Sequence, residues 1–320
     1  MKPDELLVRA ISFIPLMFLA AIFIFLLYEA FPSIVYNGFK FLTTDTWNPG
    51  MTFLSPVRGP LGFQASPGAS FGVQLFLLGT LLTSALAMAL TIPLTLIISI
   101  SLSLYLPNGI SSALRGVVQL FAAIPSVVYG LWGVVFLEPI LLRSMFPSME
   151  MWLGFIPWFA GPATSGSGIV ASSMVLVMMV VPITSSVALD AFINVRGQLA
   201  APLFSLGATR WEVAKAFVSL SKKQLMGASF LGLGRALGET MAVLMTCGGA
   251  INSMPSSIYS PINTMAAAIA SLLDSAFIDP SGMTISALAE VGLLLLLISV
   301  ASSATGRKIV GRVALRGELE

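Results

Sequence analysis

The sequence predicts an all-α integral membrane protein with six membrane-crossing helices, and three observations carry that prediction. Hydrophobic residues make up 57% of the 320 and charged residues only 9%, whereas a soluble domain keeps about a quarter of its residues charged to face water. Six apolar stretches, at about 11–30, 79–105, 117–137, 168–189, 225–247 and 286–305, reach the ~20 residues that a helix needs to cross ~30 Å of hydrocarbon. The basic residues, finally, collect in alternate loops, as the positive-inside rule requires.

The first stretch is too long for a signal peptide and lacks a small-residue cleavage site, so it is read as a retained span. A glycine- and proline-rich outer loop follows at about 31–69 and contains Trp47-Asn48-Pro49. The second stretch lies in a charge-free run from Ser70 to Leu106. Residues 70–78 are expected along the outer interface before the chain turns inward, and Pro93 is expected to kink the helix. Trp152 and Trp158, in the outer stretch 143–167, suit the membrane interface. Glu29, Glu138 and Glu290 fall near outer span ends, where interfacial placement is expected.

Orientation follows from charge. With the N-terminus inside, the inner segments hold Lys2, Arg9, Arg115, Arg196, Arg210, Lys215, Lys222, Lys223, Arg307, Lys308, Arg312 and Arg316, against Lys40, Arg58 and Arg143 outside. Reading the run 70–106 as two helices would move the loop with five of these basic residues outside, so six spans, with both termini cytoplasmic, satisfy the rule. No polar linker divides the chain, which is read as a single transmembrane domain, 1–320.

Composition also excludes chemistry. The chain has no histidine and one cysteine, Cys247, which leaves no internal disulfide, no histidine-based metal site and no His-containing triad. No catalytic residue or metal ligand set is therefore assigned. A net charge of +2 gives no footprint for nucleic acid. No Gly-x-x-x-x-Gly-Lys-Ser/Thr loop is present, so no nucleotide cofactor is expected on this chain.

Two segments carry functional patterns. The polar loop 190–224 contains Leu206-Gly207-Ala208-Thr209-Arg210-Trp211-Glu212. Gly207 is placed to break two short helices, and Thr209 with Glu212 three residues on forms a capping box for the second. By spacing alone this is a well-capped loop hairpin. In the fifth span, Arg235 and Glu239 stand in apolar sequence, where each costs about 2.5–3.5 kcal/mol at a helix centre on the insertion scale. Four apart, they are expected to share a helix face, with Gly232, Gly234 and Gly238 thinning the helix. Ser126 and Tyr129 flank Pro125 in the third span as further candidates for lining a path.

Several of these strings resemble one family. The loop from Leu206 to Glu212 is similar to the coupling motif of ABC importer permeases, although Ala201-Pro202-Leu203 stands where the family has Glu-Ala-Ala and Ser219-Leu220 where it has Leu-Pro. Gly232-Leu233-Gly234-Arg235-Ala236-Leu237-Gly238-Glu239-Thr240-Met241-Ala242-Val243 closely resembles the fifth-span signature of PstC-type phosphate permeases. Ala123-Ile124-Pro125-Ser126-Val127-Val128-Tyr129-Gly130-Leu131-Trp132-Gly133, Gly79-Thr80-Leu81-Leu82-Thr83 with Pro93, and Trp47-Asn48-Pro49 resemble the same family. The resemblance implies a type I ABC importer permease fold in the plasma (inner) membrane. With phosphate as the cargo, Arg235 and Glu239 are read as the anion's path, with Ser126 and Tyr129 as further lining, against the alternative of a neutralised structural pair that locks two helices. The resemblance of the loop implies coupling through Gly207, Ala208, Thr209, Arg210, Trp211 and Glu212. It further implies a second permease of the PstA type, two ATPase subunits of the PstB type that hold the ATP, and an external phosphate-binding protein of the PstS type. The competing reading is a secondary anion transporter that uses Glu239 as proton carrier.

Reporter fusions at Gly50 and Ser219 are expected to report opposite sides of the membrane. Matching signals would overturn the six-span arrangement.

Overall fold

The structure, a computed structural model, describes residues 3–316, with the side chains of 3–11, 307 and 309–316 outside the described set. Of the basic residues counted above, Lys2 and the side chains of Arg9, Arg307, Arg312 and Arg316 therefore lie outside the description. Helices dominate because a chain in hydrocarbon must satisfy every backbone N–H and C=O internally. Four long helices cross without interruption. They are α1 (Pro3–Asn37), α2 (Gln74–Ile100, prolonged by a widened turn to Tyr105), α5 (Ile169–Ser205) and α10 (Met283–Arg316).

Two crossings are broken. α3 (Asn108–Ala123) and the helical run α4 (Ser126–Leu153) meet at an extended Ile124–Pro125. α7 (Lys222–Leu237) and α8 (Met241–Thr246) meet at Gly238–Thr240. Between them in sequence come α6 (Arg210–Leu220) and, after α8, the short α9 (Met265–Ala276). At 1.5 Å per residue, the 12 residues of α9 span about 18 Å, too short to cross.

The central pillar is α5, and it measures depth for its neighbours. Near its first residues the Ser172 and Thr246 hydroxyls lie 3.2 Å apart. Farther along, Gly232 sits against the side chains of Val180 and Thr184, where a β-carbon would come within 2.8 Å of both. The α7–α8 pair therefore runs antiparallel to α5 and crosses despite its break. On another side, Gly133 packs against Val175, while Arg115 pairs with Asp190. Thus α3 and the first part of α4 together make the third crossing, and the expected stretch 117–137 is bent in its middle at Pro125. The residue before a proline is pushed to extended geometry, which is why the helix stops at Ala123.

The structure corrects other expectations. α2 begins at Gln74, and Ser70–Phe71 pairs with Trp47–Asn48 as a two-stranded ribbon instead of lying along the interface. Trp47 is buried against Phe71 and Phe76 at 5.0 and 5.5 Å between ring centroids. The fourth stretch does not end near 189: α5 continues for 37 residues to Ser205, so the first half of the loop hairpin is the end of a span helix. Glu290 is not interfacial. It is buried between α1 and α10 and accepts a hydrogen bond from the Ser33 hydroxyl at 2.6 Å. The basic residues from Arg115 to Lys223 other than Arg143 lie at the end bearing Gly207, while Lys40 and Arg58 lie at the opposite end with the ribbon.

At that opposite end the turn before α10 is built around Asp279. Its carboxylate accepts from the Ser66 hydroxyl at 2.9 Å, from Ser281 N–H and hydroxyl at 3.0 and 2.7 Å, and from Thr284 N–H and hydroxyl at 3.0 and 2.7 Å. Burial alone would raise its pKa, but the hydrogen bonds from Ser281 and Thr284 together outweigh it and hold the carboxyl below the usual carboxylate range. A depressed carboxyl contributes stability above its unfolded pKa and loses it as pH falls through the folded value. Asp279→Ala is expected to cost about 2 kcal/mol or more, since hydrogen bonds to charged groups are worth about 1.5–3 kcal/mol. Thermal unfolding in detergent checks this: the wild type should lose its margin over the variant as pH drops below the usual carboxylate range.

Candidate functional site

The two breaks face one another. α8 packs on the start of α4, where a β-carbon at Gly130 would come within 3.0 Å of the Ala242 backbone. Gly133 lies equally close to the Thr246 side chain. Glycines spaced three apart let the two helices approach to backbone distance, as small residues do in membrane packing. Gly130 and Gly133 stand in the family-like third-span string, but only the structure gives them a packing role.

Arg235 stands two residues before the end of α7 and is exposed on this single chain. Gly232 lies level with Val180–Thr184 and Thr246 with Ser172. Arg235 is therefore level with about Met179, some ten residues or ~15 Å along α5 from Ile169, near the middle of a ~30 Å hydrocarbon layer. Leu231, Gly238 and Met241 are exposed beside it, and no atom lies within 4 Å of a β-carbon built at Gly234. This face of α7 is open.

The expected Arg235–Glu239 pair does not form. The helix ends at Leu237, so the two residues no longer share a helical face. Among the described residues the ion pair within 4.0 Å is Arg115–Asp190. Glu239 lies in the break, half-buried, and its Oε1 accepts from Ala242 N–H at 3.4 Å, at the first turn of α8. The reason for the break is local: Gly238 costs the helix about 1 kcal/mol relative to alanine, and the carboxylate offers the next turn's N–H groups an alternative acceptor.

Ser126 and Tyr129 part company in role. Ser126 is half-buried in the first turn of α4, where N–H groups have no helical acceptor. Tyr129 is buried and donates its hydroxyl to the Phe121 carbonyl at 2.8 Å, bracing the Pro125 bend. Nearby, Glu138 accepts from the Ser167 hydroxyl at 2.8 Å, while its other carboxylate oxygen is buried without a partner.

The loop pattern takes the predicted form at its turn. Gly207 has φ +83°, a left-handed conformation that non-glycine residues adopt at a cost of about 1–2 kcal/mol. Ala208 N–H donates to the Leu203 carbonyl at 3.1 Å and closes the end of α5. Thr209 N–H donates to Glu212 Oε2 at 2.7 Å, and Glu212 N–H returns to the Thr209 hydroxyl at 3.4 Å. The Thr209 backbone bond first, then its hydroxyl, hold the Glu212 carboxyl below its usual range, with Lys215 adding a smaller pull. Arg210, Trp211 and Glu212 are exposed, while Val213 and Phe217 of the same helix are buried against Phe192 of α5. The turn is thus a protruding knuckle fixed to the end of a span helix.

No protein-family model matches the chain. The phosphate transport system permease protein PstC 1 of Mycobacterium tuberculosis is 36% identical over 305 residues, covering 94% of this chain and 90% of that one. The chain belongs to the PstC family of phosphate transport system permeases. The PstC of Pasteurella multocida is 33% identical over 299 residues, 92% of this chain and 87% of that protein. A chain of a bacterial ABC transporter involved in alginate import superposes with a TM-score of 0.52 at 16% identity, over 74% of this chain and 78% of that one. That likeness concerns the fold alone and agrees with an ABC importer permease architecture.

In the isolated chain, a double-mutant cycle with Arg235→Gln and Glu239→Gln is expected to give a coupling energy below about 0.5 kcal/mol, the level of independent sites. Unfolding in detergent checks it; a coupling of 1 kcal/mol or more would mean that the pair forms.

Proposed function

We propose that this chain is the PstC-type membrane subunit of an ATP-driven phosphate importer. In this reading Arg235 meets the anion in mid-membrane, and the knuckle Gly207–Glu212 takes up the push of an ATPase subunit. The observation that carries the reading is an arginine exposed on the single chain at mid-depth, opposite a helix break. A guanidinium there cannot rest against lipid without a cost of several kcal/mol, so its face must meet a partner or a watery path. Irregular backbone at membrane depth obeys the same restriction.

The geometry suits phosphate. A guanidinium presents a planar fork of donors that matches phosphate oxygens. The first turn of α4, with Ser126, turns the positive end of a 28-residue helical run toward the same region. Glu239 sets a negative charge in the neighbouring break, so that binding stays weak enough for release. Tyr129 acts by holding the bend and does not contact the anion. The open face of α7 is covered by a second permease of the PstA type, which completes the path. Two PstB-type ATPases supply ATP hydrolysis, and a PstS-type binding protein delivers phosphate from outside. The chain lies in the plasma (inner) membrane with both termini cytoplasmic, so the Gly207 end faces the ATPases. A proton-driven carrier would have no use for a rigid knuckle with exposed Arg210 and Trp211.

Arg235→Gln is expected to reduce uptake of radioactive phosphate roughly ten- to hundredfold, the equivalent of losing a charged hydrogen-bonding contact. Arg235→Lys, which keeps the charge but not the fork, should fall in between. Both are measured in cells without other phosphate transporters, with a blot for the assembled complex; normal uptake by Arg235→Gln would remove the arginine from the path. Gly207→Val should leave the complex assembled but break the link between ATP hydrolysis and uptake. Normal uptake with normal stimulation of ATPase activity would show that the knuckle does not couple.

A further inference from the structure

At the Gly207 end, an apolar groove of about 520 Å³ runs between α2, from Pro93 to Ile100, and α6. Ile97, Ile100 and Val218 help to form its walls, and Lys215 and Lys222 stand on it. Lys215 Nζ lies 5.4 Å from the centre of the Trp211 ring, a cation–π distance that holds the ammonium over the same wall. Ile97 is 60% exposed and Trp211 61% exposed, so the groove is open on this chain.

Its depth can be read from α5. The Thr95 hydroxyl meets that of Thr184 at 2.6 Å, about 22 Å along α5 from Ile169. Ile100 packs with the cluster around Phe192, about 35 Å along. The groove therefore begins inside the hydrocarbon and ends at headgroup level, given a ~30 Å apolar layer. Apolar walls lie at the deep end and two ammonium groups at the shallow end. Glu212, the acidic neighbour whose charge bears on Lys215, is already engaged by Thr209. Arg210 and Lys223 add positive charge nearby.

We propose that this groove holds one anionic phospholipid, with its headgroup phosphate on Lys215 and Lys222 and an acyl chain along Ile97 and Ile100. Charge complementarity selects an anionic lipid over a neutral one, as basic pockets between membrane helices do. The bound lipid ties α6 to α2 and so stiffens the knuckle against the bilayer.

The test uses the full chain purified in the assembly it forms in its own membrane, delipidated and then offered phosphatidylglycerol or phosphatidylcholine. Native mass spectrometry reads retained lipid. Phosphatidylglycerol should be retained and phosphatidylcholine not. The pair Lys215→Gln with Lys222→Gln should weaken retention roughly thirtyfold, from about 1 kcal/mol for each basic residue at the surface. The pair Lys215→Arg with Lys222→Arg should retain the lipid, which separates charge from folding. Excess inorganic phosphate should not displace it. Equal retention of phosphatidylcholine, or no effect of the glutamine pair, would overturn the proposal. Displacement by inorganic phosphate would overturn it in favour of a free-anion site. An Ile97→Cys variant carrying a photoreactive label should cross-link to lipid; a cross-link to another subunit would make the groove a protein interface.

Discussion

Within hydrocarbon there is no water to take up an unpaired backbone N–H or C=O, and the rest of this structure depends on that restriction. It makes uninterrupted helices of α1, α2, α5 and α10. It also makes the two interruptions informative, because Ile124–Pro125 and Gly238–Thr240 expose backbone groups that lipid cannot satisfy. The fold meets the restriction by setting the two breaks against each other beside α5, with Tyr129 paired to the Phe121 carbonyl and Glu239 to the Ala242 N–H. What is left open there is the face of α7 that carries Arg235.

Packing around α5 uses the means available when no hydrophobic gain separates helix from lipid. Hydroxyls meet across helices, Ser172 with Thr246 and Thr95 with Thr184, and Ser173 donates to the Thr83 carbonyl at 3.2 Å. Glycines at 130, 133 and 232 remove the side chains that would keep helices apart. These contacts tie α5 to α2, α4 and α7 along its length.

In the proposed reading these contacts bear on coupling. Because α5 runs without a break from the level of Thr246 to Ser205, a push on the knuckle would reach the helix that lines up against Arg235. The buried cluster of Phe192, Val213 and Phe217 packs α6 on the same helix, so the turn at Gly207 would pass such a push on. A lipid in the groove between α2 and α6 would add a third anchor to the same knuckle.

The number of crossings, their order and the segregation of charge were legible in the sequence, because each rests on local composition: length of apolar run and position of lysine and arginine. The capping box at Thr209–Glu212 and the glycine turn were legible for the same reason, since their bonds close within a few residues. The identity of Arg235 as the arginine set in a span was equally plain. Its environment was not. A four-residue spacing predicts a shared face only while the helix continues, and Gly238 with Glu239 ends it. Likewise Glu290 read as interfacial and Trp47 only as part of an outer loop, yet Ser33, 257 residues away, pairs with the one, and Phe71 across a two-stranded ribbon packs on the other. Sequence alone determines which segments must leave water, because that cost is summed residue by residue. Which polar groups meet, and which face stays open, is decided by contacts between residues far apart in the chain, and those exist only in the folded bundle.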